Sequence, residues 1–169
     1  KFVVKPMAGC RSQGVAVFDK ASEADHYRES ISEKNPIVQK YIGGTEYTCG
    51  TVSFNGNALG IIAMVRELRN GDTFRCKVDQ NPIVLKFVSD LISKIRPFGP
   101  CNFQLKFENN KPYILEINAR CSGTTAARAM AGLNEPLITL NYLEGHPSDP
   151  IVVSDGMEIS RYWNEIVCQ

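Results

Sequence analysis

Glu116, Asn118 and Arg120 recur at every second position in the stretch Tyr113-Ile114-Leu115-Glu116-Ile117-Asn118-Ala119-Arg120. Apolar and polar residues alternate there, with β-branched residues inside, which predicts a short β-strand. Side chains two apart share a strand face, so Ile114, Glu116 and Asn118 are expected on one side. Tyr113, Leu115 and Ile117 are expected in a core on the other. A carboxylate and an amide oxygen roughly 6–7 Å apart on one face suit a hard cation. Arg120, just past the strand end, adds a permanent positive charge. The chemistry this points to is a magnesium-nucleotide site at the end of a sheet.

The neighbouring strand is expected to add a third ligand. Cys101 to Phe107 alternates like the first strand and leads through Glu108-Asn109-Asn110-Lys111 into it. A hairpin loop of Asn109, Asn110 and Lys111 sets Glu108 against Pro112. Phe103, Leu105 and Phe107 then bury with Tyr113, Leu115 and Ile117. The same register sets Gln104 opposite Glu116. A loop one residue shorter would turn half of this apolar set to water, so burial selects the register.

Composition admits such a site and excludes other classes. The chain has 169 residues, enough for one good core or two small lobes sharing a cleft. A hydrophobic fraction of 43% and a net charge of +1 are ordinary for a globular protein and show no field for nucleic acid or membrane. No apolar run approaches the ~20 residues of a membrane span, and no stretch reads as a signal peptide. A cytoplasmic protein is expected. The six cysteines include no C-x-x-C pair and are read as reduced thiols, and two histidines support no zinc site. The chain opens at Lys1 inside the apolar run Phe2-Val3-Val4, which reads as a fragment or excised domain.

The remaining elements frame the site. Residues 2–5 form a strand ending at Lys5-Pro6, followed by the loop Met7 to Gly14 and a strand Val15 to Phe18. Gly9, Ser12 and Gly14 can turn backbone N–H groups toward phosphate oxygens, with Lys5 and Arg11 supplying charge. A plain solvated hairpin explains the same residues. Residues 20–34 read as a surface helix with Ser22 and Asp25 as a capping pair. Ile37 to Ile42 is strand-like, Thr45 to Phe54 is a long strand, and Asn55-Gly56 turns it into a partner running from Ala58 to Val65. Glu46 sits where the long strand begins. Arg66 to Gln80 is polar and basic, read either as a mobile loop near an anionic ligand or as a solvated connection. Asn81-Pro82 starts a core-packing helix that stops at Pro97. Helices over Thr125–Ala131 and Pro136–Glu144 follow, the first with N–H groups placed to favour an anion. A final edge strand within Glu158 to Val167 carries Trp163.

Taken in order, these elements resemble the ATP-grasp superfamily, most closely its carbamoyl-phosphate-synthetase-like branch. The residues that carry the likeness are Val4-Lys5-Pro6 with the Gly9–Gly14 loop, Val38 to Tyr47, Asn102-Phe103-Gln104, and Leu115 to Arg120. The resemblance implies an α+β ATP-grasp fold of antiparallel and mixed sheets with flanking helices, its two subdomains enclosing a nucleotide cleft. Residues 1–42 would belong to the small subdomain with the phosphate loop, and 43–169 to the C-terminal subdomain with the metal site.

Roles follow from the same likeness. Lys5 would contact ATP phosphates under a flap containing Gly9, Arg11, Ser12 and Gly14. Gln39, Lys40 and Ile42 would hold the adenine, and Glu46 the ribose hydroxyls. Gln104, Glu116 and Asn118 would bind one or two magnesium ions, for which manganese can substitute. Arg120 would steady the transferred phosphoryl group. Gln104 stands where many relatives carry Asp or Glu, and Lys40 where many carry Glu.

The activity this implies is ATP-dependent ligation, with a carboxylate or carbonate activated as an acyl-phosphate for attack by an amine. The partners are small carboxylate and amine substrates, an N-terminal domain upstream of Lys1, and a second copy in a homodimer. Without the upstream segment, the fragment is expected to bind ATP weakly and turn over little. The alternative is a regulatory module that keeps the ATP-binding fold without chemistry. A protein-kinase reading fails because neither H-R-D nor D-F-G is present.

Overall fold

Short β-rich runs between turn residues build two sheets in the computed structural model, which describes residues 1–7, 13–31, 35–69, 71–146 and 151–162. The chain divides into one unit of Lys1–Gly43 with Asn70–Asp72 and another of Gly44–Arg69 with Thr73–Gln169.

In the first unit, β1 (Phe2–Lys5), β2 (Ala16–Phe18) and β3 (Ile37–Lys40) make an antiparallel sheet in the order β2-β1-β3. Lys5 pairs with Ile37, while Gln39 and Lys40 face Val3 and Phe2. Ile42 lies just beyond the strand. Helix α1 (Ala21–Ser30) buries Ala24 and sets the Tyr27 ring 5.2 Å from Phe18. Its N-cap is Lys20, without a side-chain cap. Ser22 therefore lies inside the first turn, and the expected Ser22–Asp25 capping pair does not form. Gly14 takes the left-handed φ of 69°. Gly9, Arg11 and Ser12 lie outside the described residues.

The larger sheet holds β4 (Thr45–Phe54), β5 (Asn57–Arg69), β6 (Asp72–Val78), β7 (Gly99–Glu108), β8 (Lys111–Asn118) and β9 (Glu158–Ser160). Their order is β8-β7-β4-β5-β6-β9. Asn55 and Gly56 both have positive φ, the two-residue hairpin geometry that matches strand twist. The basic stretch from Arg66 is not a loop. Strand β5 runs on to Arg69, turns at Gly71 and returns as β6, because Thr73, Cys76 and Val78 have a core to enter. The terminal edge strand pairs Glu158–Ser160 with Arg75–Lys77, and Trp163 lies outside the described residues.

Each face of this sheet has its own core. Helix α2 (Pro82–Ile95) is capped by the Asn81 side chain, which accepts from the Ile83 and Val84 amides. Its Val84, Val88 and Ile92 pack on Tyr47, Cys49, Ala63, Cys101, Phe103 and Leu105. Helices α3 (Thr125–Met130) and α4 (Glu135–Leu143) flank the opposite core, where Val52, Phe54, Ile62 and Met64 meet Ala127, Ala131 and Leu133. Residues of β4 alternate, so Glu46, Thr48 and Gly50 stand on the α3/α4 side.

The β7–β8 hairpin differs from the expected register at its turn. Glu108 pairs with Lys111, leaving Asn109 and Asn110 as a two-residue loop with φ of 51° and 57°. Asparagine tolerates the left-handed region better than other side-bearing residues, which makes the tight turn possible. A bulge then inserts Leu115, since Leu105 faces Ile114 whereas Gln104 faces Glu116. The extra residue restores the expected Gln104–Glu116 pairing. It also moves Ile114 off the Glu116 face and onto that of Leu105. The expected apolar set buries only in part: Phe103 and Leu105 are buried, Phe107, Tyr113 and Leu115 half-buried, and Ile117 exposed.

Candidate functional site

A polar row crosses four strands on the α3/α4 side of the larger sheet. Glu46 on β4 faces Lys106 on β7, and Thr48 faces Gln104. Gln104 in turn faces Glu116 on β8, and Asn102 faces Asn118. Cross-strand partners share a face, so Arg66, Glu46, Lys106, Gln104, Glu116 and Asn118 converge.

Contacts within the row are specific. Arg66 donates through Nε at 3.1 Å and Nη2 at 2.7 Å to Glu46 Oε1, and through Nη2 at 2.8 Å to Gln104 Oε1. Lys106 Nζ lies 3.4 Å from Glu46 Oε2. Asn118 Nδ2 donates to Glu116 Oε1 at 2.8 Å. Glu116 and Arg120 are exposed, and Arg120 Nη1 donates to the Cys121 carbonyl at 3.0 Å. Glu116 thus accepts from Asn118, while Lys106 on the neighbouring strand turns to Glu46. Two guanidinium or ammonium groups on one carboxylate leave this end of the face with surplus positive charge, suited to phosphate.

Among the described residues, no three or more His, Cys, Asp or Glu side chains gather as a metal cluster. The expected donor set is of another kind: one carboxylate, Glu116, with the amide oxygens of Gln104 and Asn118. Such all-oxygen donors fit magnesium, which takes few protein ligands and completes its shell with water and phosphate.

The turn after Arg120 does not offer its amides to an anion. Ser122 N donates to Thr125 Oγ1, Thr124 N to Ser122 Oγ, and Thr125 N to the Ser122 carbonyl. Helix α3 is only 6 residues long, too short to present a developed N-terminal field.

Several residues escaped sequence reasoning. Arg66 was legible in principle, because Ile62, Met64 and Arg66 continue one strand period. Arg128 and Glu135 carried no signal, yet both side chains are fully buried and paired, Nη1 to Oε1, at 2.8 Å. Burial pulls the Arg128 pKa down, while the adjacent Glu135 carboxylate opposes that shift. In the first unit the structure places Lys5 at the end of β1 and Gln39 and Lys40 on β3.

Residues 32–164 match the family model described as "ATP-grasp in the biosynthetic pathway with Ter operon". No curated protein matches the chain. Similar solved structures include N5-carboxyaminoimidazole synthetase from Staphylococcus aureus complexed with ADP, with 18% identity, a TM-score of 0.69, and coverage of 90% of this chain and 43% of that one. Phosphoribosylamine–glycine ligase from Thermotoga maritima has 18% identity and a TM-score of 0.70, covering 90% and 46%. L-amino acid ligase from Bacillus licheniformis has 20% identity and a TM-score of 0.62, covering 85% and 39%. At these identities the likeness concerns the fold. The chain spans less than half the length of each of these structures. Among the described residues, no helix is long and apolar enough to cross a membrane.

Proposed function

The chain belongs to the ATP-grasp family, and from that premise we propose that it forms the ATP- and magnesium-binding region of a ligase joining a carboxylate to an amine. The observation that carries this is the row on one sheet face, where Glu116, Asn118 and Gln104 adjoin Glu46, Arg66 and Lys106. Mixed oxygen donors beside clustered cations suit a metal-bound polyphosphate.

In this reading Glu116, Gln104 and Asn118 hold magnesium, which supplies charge neutralisation on the phosphate oxygens when bound. Glu46 accepts from the ribose hydroxyls, its orientation set by Arg66 and Lys106. Lys5 and the loop containing Gly9, Arg11, Ser12 and Gly14 meet the phosphates, and Gln39, Lys40 and Ile42 hold the adenine. Arg120 donates to the phosphoryl group as it moves to the carboxylate. The activated acyl group must meet an amine before water, which requires exclusion of solvent. The motifs from Val4 to Arg120 support a reading nearest the carbamoyl-phosphate-synthetase-like branch.

Isothermal titration of the full-length protein with ATP, with and without magnesium, tests the proposal. Glu116→Ala is expected to weaken magnesium-dependent binding by about tenfold or more, or about 1.4 kcal/mol. Unchanged binding in Glu116→Ala refutes the assignment.

A further inference from the structure

Next to the proposed metal row, the larger sheet buries an ion pair that no step of the reaction uses. Arg128 and Glu135 are both 0% exposed. Arg128 Nη2 donates to Thr48 Oγ1 at 3.0 Å and to Asn102 Oδ1, and Thr48 Oγ1 donates to the same Asn102 oxygen at 2.9 Å. Glu135 Oε2 lies 3.0 Å from Thr125 Oγ1, whose single proton is shared with the Ser122 carbonyl at 2.8 Å. Gly50 leaves the room, since a Cβ there would stand 2.5 Å from Arg128 Nη1.

Stability alone does not explain this arrangement. Desolvating two charges offsets much of their attraction, and well-packed apolar residues serve as well or better in such places. Arg128 Nε has no hydrogen-bond partner, so even the satisfied network is incomplete. The contacts lead instead toward the site. Asn102 faces Asn118 across the β7–β8 pairing, in the row beside Gln104 and Glu116. Thr125 closes the turn that begins two residues after Arg120.

We infer that the Arg128–Glu135 pair is a positioning device for the proposed magnesium-phosphate face, holding Asn102, the cross-strand neighbour of Asn118, through one partner and the turn after Arg120 through the other. The inference rests on the function proposed above. Arg128 and Glu135 touch no substrate in it; they act through Asn102, Thr48 and Thr125. Groups that orient metal ligands in this way commonly matter 10–100-fold to metal affinity.

The test uses the full-length protein carrying Arg128→Met together with Glu135→Leu, an apolar replacement of similar volume. Three quantities are measured: thermal midpoint, amide exchange at Ser122 and Thr125, and the magnesium concentration giving half-saturation with ATP. The expected result is a midpoint near that of the wild type, exchange faster by about tenfold, and a magnesium requirement raised about 10–100-fold. A folded double variant with the wild-type magnesium requirement, or with slow exchange at both amides, overturns the positioning role. Should the double variant not fold, Thr48→Val removes the hydroxyl from the network with little change of shape. It is expected to raise the magnesium requirement, and a wild-type value overturns the inference. Magnesium-ATP binding that survives Glu116→Ala overturns the ligand reading itself, so the two failures are distinguishable.

Discussion

Gly50→Ala should destabilise this protein, against the ordinary sign for a glycine inside a strand. Gly50 lies in the middle of β4, between Asn102 on β7 and Ile62 on β5. Alanine there would normally stabilise by about 0.5–1 kcal/mol, because glycine loses more backbone freedom on folding. Here the new Cβ would meet Arg128 Nη1 at 2.5 Å and its Cδ and Cζ at 2.6 Å. These atoms are the Cδ and guanidinium of a fully buried side chain whose end is fixed by Glu135, Thr48 and Asn102, so none can yield cheaply. Displacing the guanidinium strands Glu135, and leaving one member of a buried pair unpaired costs about 3–5 kcal/mol. Subtracting the backbone gain leaves a net loss of about 2–4 kcal/mol. At roughly 2–4 °C per kcal/mol, the thermal midpoint falls by about 4–16 °C. Circular-dichroism melts of the full-length protein read this directly. Gly123→Ala is the control, since its Cβ meets nothing within 4 Å and should change stability by less than about 0.5 kcal/mol. Combining Gly50→Ala with Arg128→Met should be less damaging than the two separate losses added together, because both singly strand the same Glu135 carboxylate and the clash needs Arg128 to be present. A Gly50→Ala midpoint at or above the wild type refutes the placement of Arg128 on the bare strand.

Two further outcomes follow from local geometry and from burial. Asn110 occupies the left-handed region at φ 57°, so Asn110→Ala should lose about 1–2 kcal/mol in denaturant unfolding while Asn110→Gly should not; equal stabilities would refute the tight turn. The Cys49 thiol is fully buried and pushed up from its ordinary 9.0 to about 12, chiefly by desolvation. The fold therefore prefers the protonated thiol, and that contribution is present below pH 9.0 and lost as pH climbs toward about 12. Between those limits it steepens alkaline destabilisation by about 1.4 kcal/mol per pH unit. Denaturation under reducing conditions should show a shallower slope for Cys49→Ala, and an identical slope would refute the argument.

Much of the second unit was legible because its signals are local. Asn81-Pro82 announced α2, and Asn55-Gly56 announced the β4–β5 turn, since each depends only on neighbouring backbone. The Gln104–Glu116 pairing was also anticipated, but by a different route from the one the chain takes. Burial chose the right partner across the hairpin while the predicted loop was one residue too long, and the Leu115 bulge reconciles the two. A bulge depends on how the strand must bend over the sheet, which alternation alone cannot report. The strand from Asp72 to Val78 was read as loop because its charged residues dominate the composition. The buried Cys76 and Val78 show where its other face goes.

By itself, the sequence determined the residue types on the strand ending at Arg120, the order of the motifs and the family to which they belong. Those depend on spacing along the chain. Only the tertiary structure decided that Arg66 crosses to Glu46 and Gln104, and that Lys106 is engaged by Glu46. It alone revealed that Arg128 and Glu135, in an unremarkable run after Arg120, are buried against Gly50. The physical reason is that a buried charge needs partners from distant strands, and their convergence is set by sheet register and helix packing. Glu116 could be picked out from its neighbours in sequence; what holds its surroundings in place comes from residues far along the chain.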